Sequence, residues 1–149
     1  MRRASAALLT ALALSVSVRA AQTPYPIFPF EEFVRMMKSV GANWEGTTAL
    51  IGTGDFAETK RRLTRSREQL AVTITFWRDH KKDDAVKMLR ATLAKMDDLD
   101  AVLSVETVDA GAAAALARQV AGACDTCHAA YRDQDPVTKA YRLKPGSLP

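Results

Sequence analysis

The chemistry in this chain concentrates in one stretch near its C-terminus, Cys124-Asp125-Thr126-Cys127-His128. These are the only 2 cysteines of the 149 residues, so neither is left over for another bridge. The spacing C-x-x-C-H is the pattern used for covalent attachment of haem. Each thiol can add across one vinyl group to give a thioether, and the adjacent histidine can offer a neutral imidazole nitrogen to iron. On a helix, positions i, i+3 and i+4 project from about one turn, so one short segment can grip a macrocycle at two edges and ligate its metal. Two other chemistries use a C-x-x-C pair. A thioredoxin-like redox pair needs a βαβ context that this sequence lacks. A zinc site needs further ligands, and the other histidine, His80, stands among Arg78, Asp79, Lys81 and Lys82, the pattern of a surface histidine. Haem attachment is the reading that the pattern favours.

The elements that must position this cluster follow from hydrophobic periodicity. Residues 1–21 read as an export signal: Arg2 and Arg3 form a basic start, Ala6 to Val18 an apolar run, and Ala20-Ala21 a small-residue cleavage site. Export suits covalent haem, which is attached outside the cytoplasmic membrane, and it predicts a periplasmic location. The apolar run is short for a membrane span, so no span is expected in the mature chain. Without residues 1–21, Lys plus Arg falls from 21 to 18 against 17 acids, a net charge of +1. Nucleic-acid binding, which wants a clustered basic face, is not indicated. Residues 22–29, with three prolines, predict an extended lead-in.

From Phe30 the spacing becomes helical. Phe30, Phe33, Val34, Met37, Val40, Gly41 and Trp44, with Thr48 and Ile51, line one face of a first helix. Met37 falls near the middle of that stripe, whereas Met36 lies about 100° round it. An inward Met is ordinarily core filler; beside a haem it is also a natural axial partner for histidine. Gly52-Thr53-Gly54 ends this helix, and Asp55 with Glu58 forms a capping pair for a second one running from Phe56 to about His80. Its inward face carries Phe56, Leu63, Leu70, Ile74 and Trp77; Arg67 falls in the same sector, where it can snorkel outward or reach a haem propionate. Lys81–Asp84 is the next corner. A third helix carries Ala85, Met88, Leu89, Thr92, Met96, Leu99 and Leu103 inward, with Met88 and Met96 in packing positions. A fourth spans Ala110 to about Arg132, capped by Thr107 or Asp109, with Leu116, Val120, Ala123, Cys127 and Tyr131 inward. Its alanine run, Ala112 to Ala115, favours helix and allows close approach. Asp135-Pro136 stops it, and 135–149 reads as an irregular tail. A single helical domain is thus expected at 30–134. No phosphate loop and no coupled acid–base set indicates an enzyme.

Four amphipathic helices with the cysteine motif in the last of them resemble the class II cytochromes c, which include cytochrome c-prime and its low-spin relatives. The specific match is Cys124-Asp-Thr-Cys-His-Ala-Ala-Tyr-Arg132, similar to that family's C-x-x-C-H-x-x-[aromatic]-R signature. The chain departs from well-known members in its proline-rich lead-in and shorter middle region. The resemblance implies an all-α, antiparallel four-helix bundle with one covalently attached haem c near one end. It implies Cys124 and Cys127 as thioether anchors, His128 as the proximal iron ligand and Arg132 as a propionate partner. Low-spin members place a Met ligand on the first helix, and Met37 is the candidate for that position. The resemblance further implies electron exchange with a redox protein and pairing of two copies. With His128 and Met37 on iron the protein is a single-electron carrier. With an open iron it is a binder of NO or CO, and with no haem at all a helical interaction module.

Overall fold

The computed structural model describes residues 28–148; the expected export signal and most of the proline-rich lead-in lie outside the described residues. The chain is mostly helical. Four long helices, α1 (Phe30–Thr53), α2 (Phe56–Val72), α4 (Asp83–Val102) and α5 (Ala110–Tyr131), are joined by the six-residue α3 (Ile74–Asp79). A small hairpin of β1 (Arg132–Gln134) and β2 (Tyr141–Leu143) follows. None of the described helices is long and apolar enough to cross a membrane.

The helix limits follow from local chemistry. Glu31 and Glu32 place negative charge at the first turn of α1, where unpaired amides favour it. At the other end Gly54 takes a left-handed conformation (φ 79°) and returns its N–H to the carbonyls of Leu50 and Ile51. A Cβ at Gly54 meets no neighbouring atom, so only backbone strain opposes a side chain there. Gly54→Ala is therefore expected to destabilise the fold by about 1 kcal/mol, a fall in midpoint read by denaturant titration. The Asp55 side chain then accepts from the Glu58 N–H at 3.1 Å and starts α2, as the capping pair predicts. Asp109, rather than Thr107, caps α5, accepting from Gly111 at 2.8 Å and Ala112 at 3.0 Å.

The expected second helix is interrupted at Thr73, whose hydroxyl turns back onto the Leu70 carbonyl at 2.6 Å. That break lets the adjacent Phe76 and Trp77 both enter the core, so Phe76, absent from the predicted stripe, is fully buried. Phe76 stacks on Phe33 at 4.2 Å between centroids and meets Trp77 edge-on at 5.3 Å. Phe76→Ala is expected to cost about 3–5 kcal/mol, checked by equilibrium unfolding.

α1 packs on α2, α2 on α4, α4 on α5, and α5 more sparsely on α1. Between α1 and α2 the seam is built from small and polar residues. Gly46 leaves room for the Arg62 side chain, which would lie 2.7 Å from an added Cβ. Asn43 bonds to Gln69 at 3.0 Å, and buried Ser66 donates across the seam to the Val40 carbonyl at 3.1 Å. Thr47, Thr59 and Thr92 are buried too, each with its hydroxyl on a carbonyl one turn back, so none is left unsatisfied. Thr47, not the predicted Thr48, is the inward threonine of α1. α2 meets α4 through Arg67 and Asp97, whose guanidinium and carboxylate pair in two places. The guanidinium thus reaches out to the protein surface, where it pairs with Asp97. Leu63, Leu70, Leu89, Met96, Leu99 and Val120 fill the interior.

The tail departs most from expectation. α5 ends at Tyr131, one residue from the expected end, and the next three residues pair antiparallel with Tyr141–Leu143. The returning strand serves the exposed carbonyls of the last turn of α5. The Lys144 N–H donates to Tyr131 O at 2.9 Å, and its ammonium to Ala129 O at 2.5 Å. Leu143 and Leu148 pack on the core, so this segment is a strap, not an irregular end.

Candidate haem attachment site

Cys124 and Cys127 stand in the second half of α5, both unbridged and half-buried, packed against the core. Burial, reinforced by the Asp125 charge, raises the Cys124 thiol above its ordinary range; burial first, then Cys124 and Asp84, lifts Cys127 to about 11. A thiol pair built for disulfide exchange sits at a helix N-terminus, where the dipole lowers its pKa. Here the pair is deep in a 22-residue helix and its thiols are held protonated. The arrangement argues against a reactive thioredoxin-like pair. Among the described residues no group of three or more His, Cys, Asp or Glu is placed to hold a metal ion.

His128 follows on the same turn. Burial, and then the Arg132 charge, push its imidazole below the ordinary histidine range, partly opposed by Asp125. It is therefore neutral at pH 7, the form in which a ring nitrogen can bind iron. Two protonated, accessible thiols and one neutral imidazole on a single turn form a donor set that fits covalent haem.

The remaining predicted residues are placed as follows. Tyr131, 6 % exposed, fixes the level of the site: its ring lies 4.6 Å from Trp77, which in turn meets Phe33 of α1 at 5.3 Å. One helical turn, about 6 Å, inward from Phe33 is Met37, and one turn back from Tyr131 is Cys127. Met37 lies about 120–180° round α1 from Ser39, Asn43 and Gly46, which face α2. His128 lies by the same angle away from Gln119, Gly122, Ala123 and Thr126, which line the groove toward Met88, Ala91 and Lys95 of α4. Half-buried Met37 packs on the same core as the two cysteines. It borders neither of two clefts lined by α5 residues. Met88 borders the α4–α5 groove and Met96 is 1 % exposed in the core, both packing roles as expected.

Arg132 lies outside the helix, on β1, with its guanidinium 4.2 Å above the Tyr141 ring. Together with Asp125, His128, Ala129, Asp133, Gln134 and Tyr141 it lines a cleft of about 360 Å³ at the end of α5. It makes no ion pair among the described residues, whereas Arg142 pairs with Asp133 and Asp135. His80, half-buried, places Nδ1 2.8 Å from the Phe76 carbonyl and its ring 4.3 Å from the Phe76 ring, tilted against it.

Sequence reasoning missed the contacts that hold this end together. Tyr131 donates its phenolic hydrogen to Asp84 at the start of α4, and burial together with that bond raises its pKa far above the phenol range. Lys144 and Tyr141 come from the segment expected to be irregular. Only Tyr131 left a trace in the sequence, as a member of the inward stripe. Comparison of the chain with protein-family models, with curated proteins and with solved structures gives no match.

Proposed function

We propose that the chain is an exported, periplasmic c-type cytochrome with one haem, a carrier of single electrons rather than an enzyme. The observation that carries the reading is the turn of α5 that presents two unbridged, half-buried thiols and a neutral imidazole together. We read the cyclic packing of α1, α2, α4 and α5 as an antiparallel four-helix bundle. Support comes from cross-helix pairs whose numbers run in opposite senses, such as Asn43 with Gln69 and Gly46 with Arg62. Arg67 with Asp97 and Lys60 with Asp100 likewise run in opposite senses between α2 and α4.

In this reading Cys124 and Cys127 anchor the macrocycle through thioethers, and His128 holds the iron from α5. Met37 offers its thioether sulfur from the facing flank of α1, and the sparse α1–α5 seam is where a flat ring enters with least loss of packing. Arg132 takes a propionate. Bound there, haem supplies a one-electron ferric/ferrous couple. The chain's own residues exclude water, keep the imidazole neutral and hold two soft-to-borderline donors in fixed positions, which favours the reduced state. A redox protein would be met through a small, brief contact, and two copies can pair.

The test is mass spectrometry of the exported protein under denaturing conditions, with pyridine haemochrome spectroscopy. Covalent haem persists as added mass on the peptide containing Cys124–His128; a chain at polypeptide mass alone overturns the reading and leaves a helical interaction module.

A further inference from the structure

Tyr131 and Trp77 are almost completely buried, at 6 % and 3 % exposure, with ring centroids 4.6 Å apart. The Tyr131 hydroxyl donates to Asp84 Oδ2, and Trp77 continues edge-on into Phe33 and Phe76. Nothing in electron transfer at the cysteine–histidine turn requires a phenol hydrogen-bonded to a carboxylate and stacked on an indole. A tyrosine gives up an electron readily only when its phenolic proton leaves in the same step, because its radical cation is a far stronger acid than a carboxylic acid. An acceptor base in hydrogen-bond contact supplies that route, and here it is an ionised carboxylate.

We propose that Tyr131 is a redox-active tyrosine, a proton-coupled trap for oxidising equivalents with Asp84 as proton acceptor and Trp77 as electron relay. A one-electron oxidant of the oxygen-radical class, such as the carbonate radical anion, removes one electron from the Trp77 indole and is itself reduced by one. Tyr131 returns one electron to Trp77, and its proton crosses the existing bond to Asp84 Oδ2. The products are a neutral tyrosyl radical, a protonated Asp84 and a restored Trp77: one electron has left the protein and no proton has. Re-reduction by one electron brings the proton back. The trap draws oxidising equivalents away from Met37 and the cysteine sulfurs, which are otherwise open to oxidation. Tyr141 is less suited. It is 58 % exposed and carries the Arg132 guanidinium over its ring, where a positive charge opposes loss of an electron. The inference rests on Trp77, Tyr131 and Asp84 and holds with or without haem.

The chain has 3 tyrosines, Tyr25, Tyr131 and Tyr141, which makes the test direct. The full, air-oxidised protein is treated with photogenerated tris(bipyridine)ruthenium(III), with persulfate as electron acceptor, frozen, and read by electron paramagnetic resonance. A tyrosyl signal that narrows on ring-deuterated tyrosine is expected, retained in a Tyr25→Phe/Tyr141→Phe variant whose only tyrosine is Tyr131, and lost in Tyr131→Phe. Asp84→Asn keeps an acceptor oxygen but removes the base, and is expected to cut the tyrosyl yield roughly tenfold or more. A signal that vanishes in the Tyr25/Tyr141 variant, an Asp84→Asn yield equal to wild type, or no tyrosyl signal at all overturns the proposal. The double variant leaves the buried Tyr131 untouched, so the test survives a failure of Tyr131→Phe to fold.

Discussion

Replacing both Cys124 and Cys127 with alanine is expected to abolish denaturation-resistant haem completely while leaving a folded helical chain. Both thiols are half-buried at the edge of the core, not within its fully packed layer of Leu63, Phe76, Leu99 and Val120. Each substitution removes one sulfur, and alanine is the better helix former. The stability cost should therefore stay within about 1–2 kcal/mol for the pair, below that of emptying a large core position. Haem would then be held only by His128 and its axial partner and would leave on denaturation. The single variants separate the two anchors, each keeping one thioether and one covalent mass increment. The measurement is denaturing mass spectrometry beside far-ultraviolet circular dichroism. Retention of covalent haem in the double variant would place the attachment elsewhere, and loss of helicity would show the thiols to be structural.

Met37→Ala carries the second large effect. If Met37 supplies the sixth ligand, its loss turns a low-spin absorption spectrum into a high-spin one across the whole population and opens the ferrous iron to carbon monoxide. The reduction potential falls as well, because thioether ligation favours the ferrous state. Stability should fall by about 1–3 kcal/mol, the lower part of the range for Met to Ala, since the side chain is only half-buried. Met36→Ala is the control: it is also half-buried but lies about 100° round the helix, and its spectrum should match wild type. A wild-type protein that is already high-spin and binds carbon monoxide rapidly would remove Met37 from the iron. The gas-binding reading would then take first place, with His128 and the two cysteines unchanged in their roles.

The geometry bears differently on the two experiments. The cysteine–histidine cluster lies within one turn of one helix, so its assembly depends on α5 forming and on little else. The approach of Met37 depends on the register of α1 against α5. That register is set at a distance by Phe33, Trp77 and Tyr131, and by the bond from Tyr131 to Asp84.

What the sequence determined by itself is whatever depends on neighbours a few residues apart. The spacing of Cys124, Cys127 and His128, the Asp55 and Asp109 caps, the Gly54 stop and the inward stripes of the long helices all follow from the 3.6-residue period and from backbone groups left open at helix ends. Tertiary structure alone decided the contacts made across long stretches of chain. Arg67, which the helical period places in the apolar sector, snorkels outward so that its guanidinium stays in solvent and pairs with Asp97. Phe76 enters the core because Thr73 breaks the helix and resets the rotation of the residues beyond it. The polar, proline-containing tail folds back as a strap because the last carbonyls of α5 lack partners within the helix, and Lys144 satisfies two of them. No periodic pattern announces a lysine fifteen residues downstream as a helix cap; that pairing exists only once the hairpin has brought it there.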